Sequence, residues 1–208
     1  MSLASVRADL AARAPDLPIV EVAESTATVA DAARALGVEP ARIAKTLAVR
    51  AGELTFLLVA RGDARLDNRK TKDRFGHRPR MLGSEEILAL TGHPVGGVCP
   101  FGLATPLPVF CDVSLQAFDI VYPAAGSLTS SVEVSPARLA ELVSAAWVDL
   151  CRIPEAGPGV EKGMDQEKKA EAEPPGQGES IEDASREAVR EMEKRRDGTG
   201  HAGAGDIG

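Results

Sequence analysis

Residues 1–153 alternate helical and strand patterns along their whole length, and this alternation limits the possible folds more than any other feature. Helical spacing of apolar residues and capping signals predict helices, while short apolar, β-branched runs predict strands. The predicted helices cover 3–14, 29–36, 68–75, 84–91 and 136–147, and the predicted strands cover 18–22, 46–50, 54–60, 107–111, 118–122 and 130–134. Strands at irregular intervals with helices between them favour an α+β fold, with a mixed sheet covered by helices rather than a doubly wound parallel sheet.

Residues 154–208 differ from this domain in composition. They contain 14 of the 31 acidic residues but only 8 of the 24 basic ones, so they carry most of the formal net charge of −7. They contain no aromatic residue and few aliphatic ones, and such a segment cannot bury enough apolar surface to offset the loss of chain entropy. We therefore predict one domain over 1–153, followed by a mostly disordered acidic tail in which a cap and i, i+4 charge pairs favour a short helix over 180–196.

Cysteine usage and the apolar pattern indicate the compartment. Cys99, Cys111 and Cys151 are widely spaced and odd in number, which argues against a disulfide framework and is typical of a reducing compartment. Charges interrupt the first residues before a signal-like run forms, and no apolar stretch reaches membrane-spanning length. We expect a cytoplasmic protein with no membrane partner.

The loop Gly96–Gly102, with the sequence GGVCPFG, is a candidate binding loop. Paired glycines allow backbone N–H groups to approach a ligand, and Pro100 fixes the direction in which the chain leaves. The loop is either the floor of a pocket or a tight connection without a ligand. The sequence identifies no base that could activate Cys99, so we interpret this residue as a small loop-lining side chain rather than a nucleophile.

Two sets of cations are candidates for contact with a negatively charged substrate. Lys45 lies just before an apolar strand, where its ammonium is either presented at a sheet end or simply reaches solvent past a buried stem. Residues 61–80 hold eight basic and three acidic residues. This run is either a solvated helix face or a phosphate-binding surface.

The sequence offers few other catalytic groups. His77, His93 and His201 are dispersed, and none has a Cys or carboxylate at zinc-ligand spacing. Neither a G-x-S-x-G motif nor a P-loop occurs. We therefore predict no metal site and no cofactor.

Five segments occur in a fixed order along the chain: ALGVEPARIAKTLAVR, LDNRK from Leu66, TGHPVGGVCPFG from Thr91, LPVFCD from Leu107 and the AAG before the last predicted strand. Together they resemble the YbaK family of aminoacyl-tRNA editing domains, which also occurs as the inserted editing domain of bacterial prolyl-tRNA synthetases. The resemblance covers nearly all of residues 1–153 and does not cover the tail. It implies a curled mixed β-sheet, partly barrel-like, flanked by helices.

The resemblance also implies a trans-acting deacylase, which hydrolyses the ester between a tRNA, typically tRNA(Pro), and a small wrong amino acid. Lys45 would then contact the substrate near the scissile ester or the terminal nucleotide. The implied substrate-binding residues are Gly96, Gly97, Val98, Cys99, Pro100, Gly126, Ser127 and Ser131. Ester hydrolysis builds negative charge on the carbonyl oxygen, and N–H groups of a glycine loop with a nearby cation are suitable stabilisers. We therefore expect water as the nucleophile, with substrate positioning and a ribose hydroxyl assisting proton transfer.

This chain departs from the family members that deacylate Cys-tRNA(Pro). Those proteins have basic residues after the glycine that matches Gly126, where this chain has the uncharged run Ser127–Ser131. They also have an acid shortly beyond that glycine, roughly where this chain has Ser131. The difference favours Ala, Ser or Thr over Cys as the amino acid removed. It also moves the expected tRNA contact to the basic run, with Arg65, Arg69, Lys70, Lys72 and Arg74 as its candidate residues.

The expected partners are a mischarged tRNA and a prolyl-tRNA synthetase. Two other interpretations remain open at the level of sequence. One is a non-catalytic module that binds tRNA or a synthetase, and the other is a hydrolase or binder of an unrelated small ester or amino acid.

Overall fold

The computed structural model describes residues 2–154, which contain five α-helices and ten strands. The helices are α1 Ser2–Arg13, α2 Val29–Leu36, α3 Asn68–Phe75, α4 Ser84–Thr91 and α5 Pro136–Leu142. The strands are β1 Ile19–Glu21, β2 Ile43–Ala51, β3 Leu54–Arg61, β4 Arg65–Leu66, β5 Pro79–Met81, β6 Val109–Asp112, β7 Tyr122–Pro123, β8 Ser130–Val132, β9 Ala146–Val148 and β10 Cys151–Arg152. The predicted helix over 180–196 and nearly all of the predicted tail lie outside the described residues, so the domain boundary stays a prediction.

The main sheet has six strands and mixed direction. Its order is β5-β2-β3-β6-β9, and β7 pairs with the beginning of β2 on the edge that β5 occupies further along. The β2–β3 and β2–β5 pairs are antiparallel, whereas β2–β7, β3–β6 and β6–β9 are parallel. Two small antiparallel pairs, β1–β8 and β4–β10, lie beside it. The mixed sheet with flanking helices is therefore confirmed, and among the described residues no pairing closes the sheet into a barrel.

The central strand β3 separates two apolar clusters. Successive side chains of a strand point to opposite faces, and here Leu57 and Val59 enter one cluster while Phe56, Leu58 and Ala60 enter the other. All five side chains are buried. The first cluster receives α1 and the loop after α4, and the second receives Phe75 of α3, whose ring centroid lies 5.2 Å from that of Phe56.

The predicted helix ends are confirmed where the capping signals are local. Thr28 accepts a hydrogen bond from the backbone N–H of Asp31 at the start of α2, and Gly37 ends that helix with a φ of 68°. Asp67 and Gly76 cap α3 in the same way. For α4, the predicted bounds 84–91 are confirmed, with Gly83 as the N-cap and Ser84 as the first helical residue.

Two element predictions in the last third of the described chain are wrong. The helix predicted over 136–147 ends at Leu142, because Ser144 adopts a left-handed φ of 49° and the chain turns into β9, which pairs with β6. The strand predicted over 118–122 is mostly absent, because Asp112 caps a 3-10 helix, Val113–Ala117, and pairing begins only at Val121, which forms a bridge with Val134. Within the described residues, no helix is both long enough and apolar enough to span a membrane.

Candidate functional site

A pocket of about 130 Å³ lies where the beginning of β2 meets the loop before α2 and the glycine loop. Its lining residues come from the segments 26–32, 43–46, 96–98 and 122–124 and from Ser131. The parallel β2–β7 pair and a bridge between Ala124 and Ser131 join three of these segments. Among the described residues that line it there is no Cys, His, Asp or Glu.

Lys45 is the charged residue that lines this pocket. Its Nζ donates hydrogen bonds to the carbonyl oxygens of Gly62, at 2.9 Å, and of Ala64. An ammonium group has three N–H donors, so these two carbonyls leave one for a ligand. Burial lowers the pKa of Lys45; the charge of Asp63 raises this pKa, and the charge of Arg65 lowers it.

Gly62 holds its carbonyl oxygen in a position that only glycine allows. A Cβ added at Gly62 would lie 2.1 Å from the carbonyl oxygen of Pro40 and 2.7 Å from Cγ1 of Val29. Real Cβ atoms do not approach backbone oxygens so closely, since overlap of this size forces the backbone to shift. The acceptor for Lys45 is therefore fixed by close packing of the turn after β3 against the residues before β2.

The paired glycines bring the glycine loop against two other segments. Gly96 has a φ of 88°, and a Cβ there would lie 3.1 Å from Cα of Ala27. A Cβ on Gly97 would lie 3.1 Å from the backbone of Ser127. Gly96 and Val98 line the pocket, whereas Gly97 is buried behind it, against the loop before β8.

Cys99 and Pro100 are buried behind the loop and do not line the pocket. The Cys99 Sγ lies 3.6 Å from the carbonyl oxygen of Phe101 and 3.6 Å from Nε2 of His93. Burial raises the pKa of the Cys99 thiol to about 12, so it is protonated at neutral pH. A buried neutral thiol is a poor nucleophile, which supports the interpretation that Cys99 does not attack the substrate.

His93 supports the same loop, and sequence reasoning gave it no role. Its ring is fully buried, with Nε2 2.8 Å from the carbonyl oxygen of Phe101 and Nδ1 2.6 Å from Oγ of Ser2. A carbonyl only accepts, so Nε2 donates the proton and Nδ1 accepts from the Ser2 hydroxyl. Burial lowers the pKa of His93, partly offset by the hydrogen bond to Phe101. The neutral ring thus ties the glycine loop to the start of α1.

The three predicted residues around β8 lie in different surroundings. Ser131 is buried and lines the pocket. Gly126 has a φ of 83° and faces α1, because a Cβ there would lie 2.8 Å from the carbonyl oxygen of Ser2. The Ser127 hydroxyl lies 2.7 Å from that of Ser130 and is not among the lining atoms. The structure thus places four of the predicted substrate residues together in the pocket: Lys45, Gly96, Val98 and Ser131.

Two threonines of the pocket were not predicted. The Oγ1 atoms of Thr26 and Thr46 are buried, and neither has a hydrogen-bond partner among the described residues. An unpaired buried hydroxyl costs about 1–3 kcal/mol, so a ligand that pairs with it recovers that cost. Thr46 directly follows Lys45, which is the one sequence signal that could have identified it, whereas Thr26 has no such signal.

The predicted tRNA contacts are not equally available on the surface. Lys70 is occupied, since its Nζ lies 2.5 Å from Oδ1 of Asp149 and 2.7 Å from the carbonyl oxygen of Cys151. Arg74 lies over its own neighbour Phe75, with Cζ 5.5 Å from the ring centroid. The other three candidates are exposed: Arg65, Arg69 and Lys72. Arg69 faces Asp73 across 3.8 Å, at the outer limit of an ion pair.

Residues 23–142 match the family described as the aminoacyl-tRNA editing domain. The chain belongs to this family. The matched range contains every segment that lines the pocket, so the candidate site lies within the part of the chain that defines the family. The resemblance to YbaK proteins inferred from the sequence motifs is confirmed.

Individual relatives of this editing domain cover most of the same range. The uncharacterized protein YwhH of Bacillus subtilis (strain 168) is 46% identical over 154 residues, which are 73% of this chain and 98% of YwhH. EbsC of Enterococcus faecalis (strain ATCC 700802 / V583), provisionally named a Cys-tRNA(Pro)/Cys-tRNA(Cys) deacylase, is 29% identical over 121 residues, or 57% of this chain and 73% of EbsC. A crystal structure provisionally described as a trans-editing enzyme for prolyl tRNA synthetase superposes with a TM-score of 0.68 and 34% identity, covering 73% of this chain and 97% of that one.

Proposed function

We propose that this editing domain acts in trans as an aminoacyl-tRNA deacylase, and that its substrate is tRNA(Pro) carrying a small wrong amino acid. The observation that carries the proposal is Lys45, a residue that lines a pocket walled by the glycine loop and whose ammonium is held by two backbone carbonyls. Family membership and the relatives named for deacylation and trans-editing support the same reaction. The reaction takes place in the cytoplasm, where the substrate is made and used.

In the proposed mechanism, water attacks the carbonyl carbon of the ester. The third N–H of Lys45 donates to the oxygen on which negative charge develops, and a preorganised donor of this kind contributes about 2.7–4 kcal/mol. The bond between the carbonyl carbon and the ribose oxygen then breaks, and the proton from water passes to that oxygen. The products are the free amino acid and a tRNA with an intact terminal ribose. Because no base lines the described pocket, a neighbouring ribose hydroxyl relays the proton.

The size and polarity of the pocket support a small, polar amino acid. A pocket of about 130 Å³ is well below the roughly 300–1,000 Å³ that drug-sized ligands occupy. Thr26 and Thr46 are among the residues that line it, and their buried Oγ1 atoms have no hydrogen-bond partner among the described residues. This polarity matches a side chain that can form hydrogen bonds. Among the amino acids favoured by the sequence, this polarity favours Ser or Thr over Ala, and all three remain ahead of Cys.

A deacylation panel tests the proposal directly. The substrates are tRNA(Pro) charged with Ala, Ser, Thr or Cys, and the proteins are the wild type and the isosteric variants Thr26→Val and Thr46→Val. We expect hydrolysis of the Ser or Thr ester to be fastest. Each Val variant should slow hydrolysis of the preferred ester about 2- to 10-fold, the equivalent of one hydrogen bond, and slow the Ala ester less. Their thermal stability should not fall, because an unpaired hydroxyl is replaced by a methyl group.

Binding of tRNA without hydrolysis of any ester would favour a non-catalytic module that holds tRNA or a prolyl-tRNA synthetase. Equal slowing of the Ser and Ala esters would show that the threonines do not read the amino acid side chain. Hydrolysis of free amino acid esters with no advantage from the tRNA would instead indicate an unrelated small-ester hydrolase.

A further inference from the structure

Two arginines lie directly opposite each other in the small β4–β10 pair. The register places Arg65 beside Arg152, and both side chains are exposed. Within residues 2–154 neither one forms an ion pair. Opposite residues on antiparallel strands have Cβ atoms about 4.5–5.5 Å apart, and like charges in this arrangement destabilise the pair. Arg65 belongs to the basic run over 61–80, whereas Arg152 lies far from that run in the chain and was not among the predicted contacts.

The acidic residues around this pair are occupied elsewhere. Asp63 accepts from Arg61 at 2.6 and 2.8 Å, and Asp149 pairs with Lys70. Asp67 caps α3 through the backbone N–H groups of residues 69 and 70. These two hydrogen bonds lower the pKa of Asp67 first, and the charge of Arg152 lowers it further. Arg152 thus interacts with the charge of Asp67 without forming an ion pair with it. The repulsion between the two arginines is largely uncompensated.

The arginine pair adjoins the pocket through the backbone. Ala64, the residue before Arg65, supplies one of the two carbonyls that hold the Lys45 ammonium. The charge of Arg65 reaches Lys45, since it contributes to lowering the pKa of that lysine after burial. Arg65 is therefore one residue along the backbone from an atom that holds the Lys45 ammonium, and Arg152 lies opposite Arg65.

We propose that Arg65 and Arg152 together bind one phosphate group of the RNA backbone, close to the end that enters the Lys45 pocket. Guanidinium groups match phosphate geometry and form paired hydrogen bonds with it. A bound phosphate also relieves the repulsion that the strand pairing imposes. This inference rests on the proposed function for its substrate, and it adds a residue, Arg152, and a specific chemical role to the RNA contact.

The test uses the full 208-residue chain with Arg65→Gln, Arg152→Gln and the double variant. Arg138→Gln is the matched control, because Arg138 is also an arginine near the surface but forms ion pairs with Asp16 and Glu141. Affinity for uncharged tRNA(Pro) is measured by fluorescence anisotropy over a series of KCl concentrations. Thermal unfolding is measured at low salt without RNA.

Each single variant should weaken binding about fivefold and reduce the salt slope, d log K/d log[KCl], by about 0.7–0.9 in magnitude. The double variant should show a loss close to that of either single variant, because both arginines hold the same phosphate. Each single variant should also unfold about 1–3 °C higher than the wild type, since a like-charge contact is removed. Arg138→Gln should leave the salt slope unchanged and should not raise the unfolding temperature.

Unchanged tRNA binding in all three variants would overturn the proposal. Additive losses, with the double variant losing about twice the salt slope that either single variant loses, would also overturn it, because they indicate two separate phosphates. A drop in unfolding temperature without a change in binding would assign the pair a structural role instead. Hydrolysis of seryl-adenosine, an ester that contains no phosphate, separates the two proposals: its absence counts against the deacylase, while the tRNA binding measurements still decide the role of the arginines.

Discussion

Replacing Lys45 with Met removes the ammonium and keeps an unbranched side chain of similar length. In the wild type, two N–H groups of Lys45 donate to Gly62 and Ala64, and the third is available to the substrate. Loss of one preorganised donor to a developing oxyanion lowers kcat about 10²- to 10³-fold, or about 2.7–4 kcal/mol. We expect a loss of this size in single-turnover hydrolysis of the preferred aminoacyl-tRNA, with little change in affinity for uncharged tRNA.

The same substitution also affects stability. A hydrogen bond from a charged donor contributes about 1.5–3 kcal/mol, but Lys45 is half-buried, so water partly replaces the lost donor at both carbonyls. We therefore expect the free energy of unfolding to fall by about 1–3 kcal/mol. Activity must be measured well below the unfolding temperature, so that the loss reports on catalysis and not on the folded fraction.

Lys70→Met provides the matched control for the Lys45 variant. Lys70 also donates to two acceptors, Asp149 and the carbonyl of Cys151, but it does not line the pocket. Its replacement should destabilise the fold and leave kcat within about threefold of the wild type. A kcat loss below about tenfold in Lys45→Met, or an equal loss in both variants, would refute the role of Lys45 in stabilising the transition state.

Two further predictions follow from residues that support the pocket. Gly62→Ala should lower the free energy of unfolding, measured in urea, by about 2–3 kcal/mol and reduce deacylation, because its Cβ would lie 2.1 Å from the Pro40 carbonyl oxygen. The control Gly83→Ala, where a Cβ meets nothing within 4 Å, should lower it by less than about 1 kcal/mol. Equal losses in the two variants would contradict this prediction. Burial lowers the pKa of His93 in the folded state below the ordinary histidine value of about 6.5. At pH values below about 6.5, the unfolded chain therefore binds more protons than the folded protein. Stability should therefore fall as pH drops from 7 to 5.5, by at most about 1.4 kcal/mol per pH unit, and His93→Gln should flatten this dependence; an unchanged slope would show that His93 does not cause it.

Helix ends were predictable from the sequence where the signal is a single residue with a local partner. Thr28 with Gly37, and Asp67 with Gly76, fix the limits of α2 and α3 through one side-chain hydrogen bond and one left-handed residue each. Local signals cannot identify β4 and β10, because each has two residues and exists only through pairing between distant segments. The helix prediction over 136–147 failed for the same reason, since pairing with β6 decides the conformation of Trp147.

The residues of the candidate site likewise fall into those that sequence motifs identify and those that only the folded structure identifies. Lys45 and the glycine loop were identifiable because their motifs occur in a fixed order, and Lys45, Gly96 and Val98 indeed lie in one pocket. That Thr26 and Thr46 are unpaired is a property of the folded structure, because a hydroxyl lacks a partner only after the surrounding backbone has been placed.

The buried residues behind the glycine loop give it a fixed position. Its paired glycines bring the backbone close to Ala27 and Ser127, yet glycine itself confers flexibility rather than order. Order comes from His93, whose ring links the Phe101 carbonyl to Ser2 of α1. A preorganised oxyanion site needs both properties, close approach and a fixed backbone. The paired glycines therefore specify the approach, and the buried histidine that precedes them in the same motif supplies the rigidity.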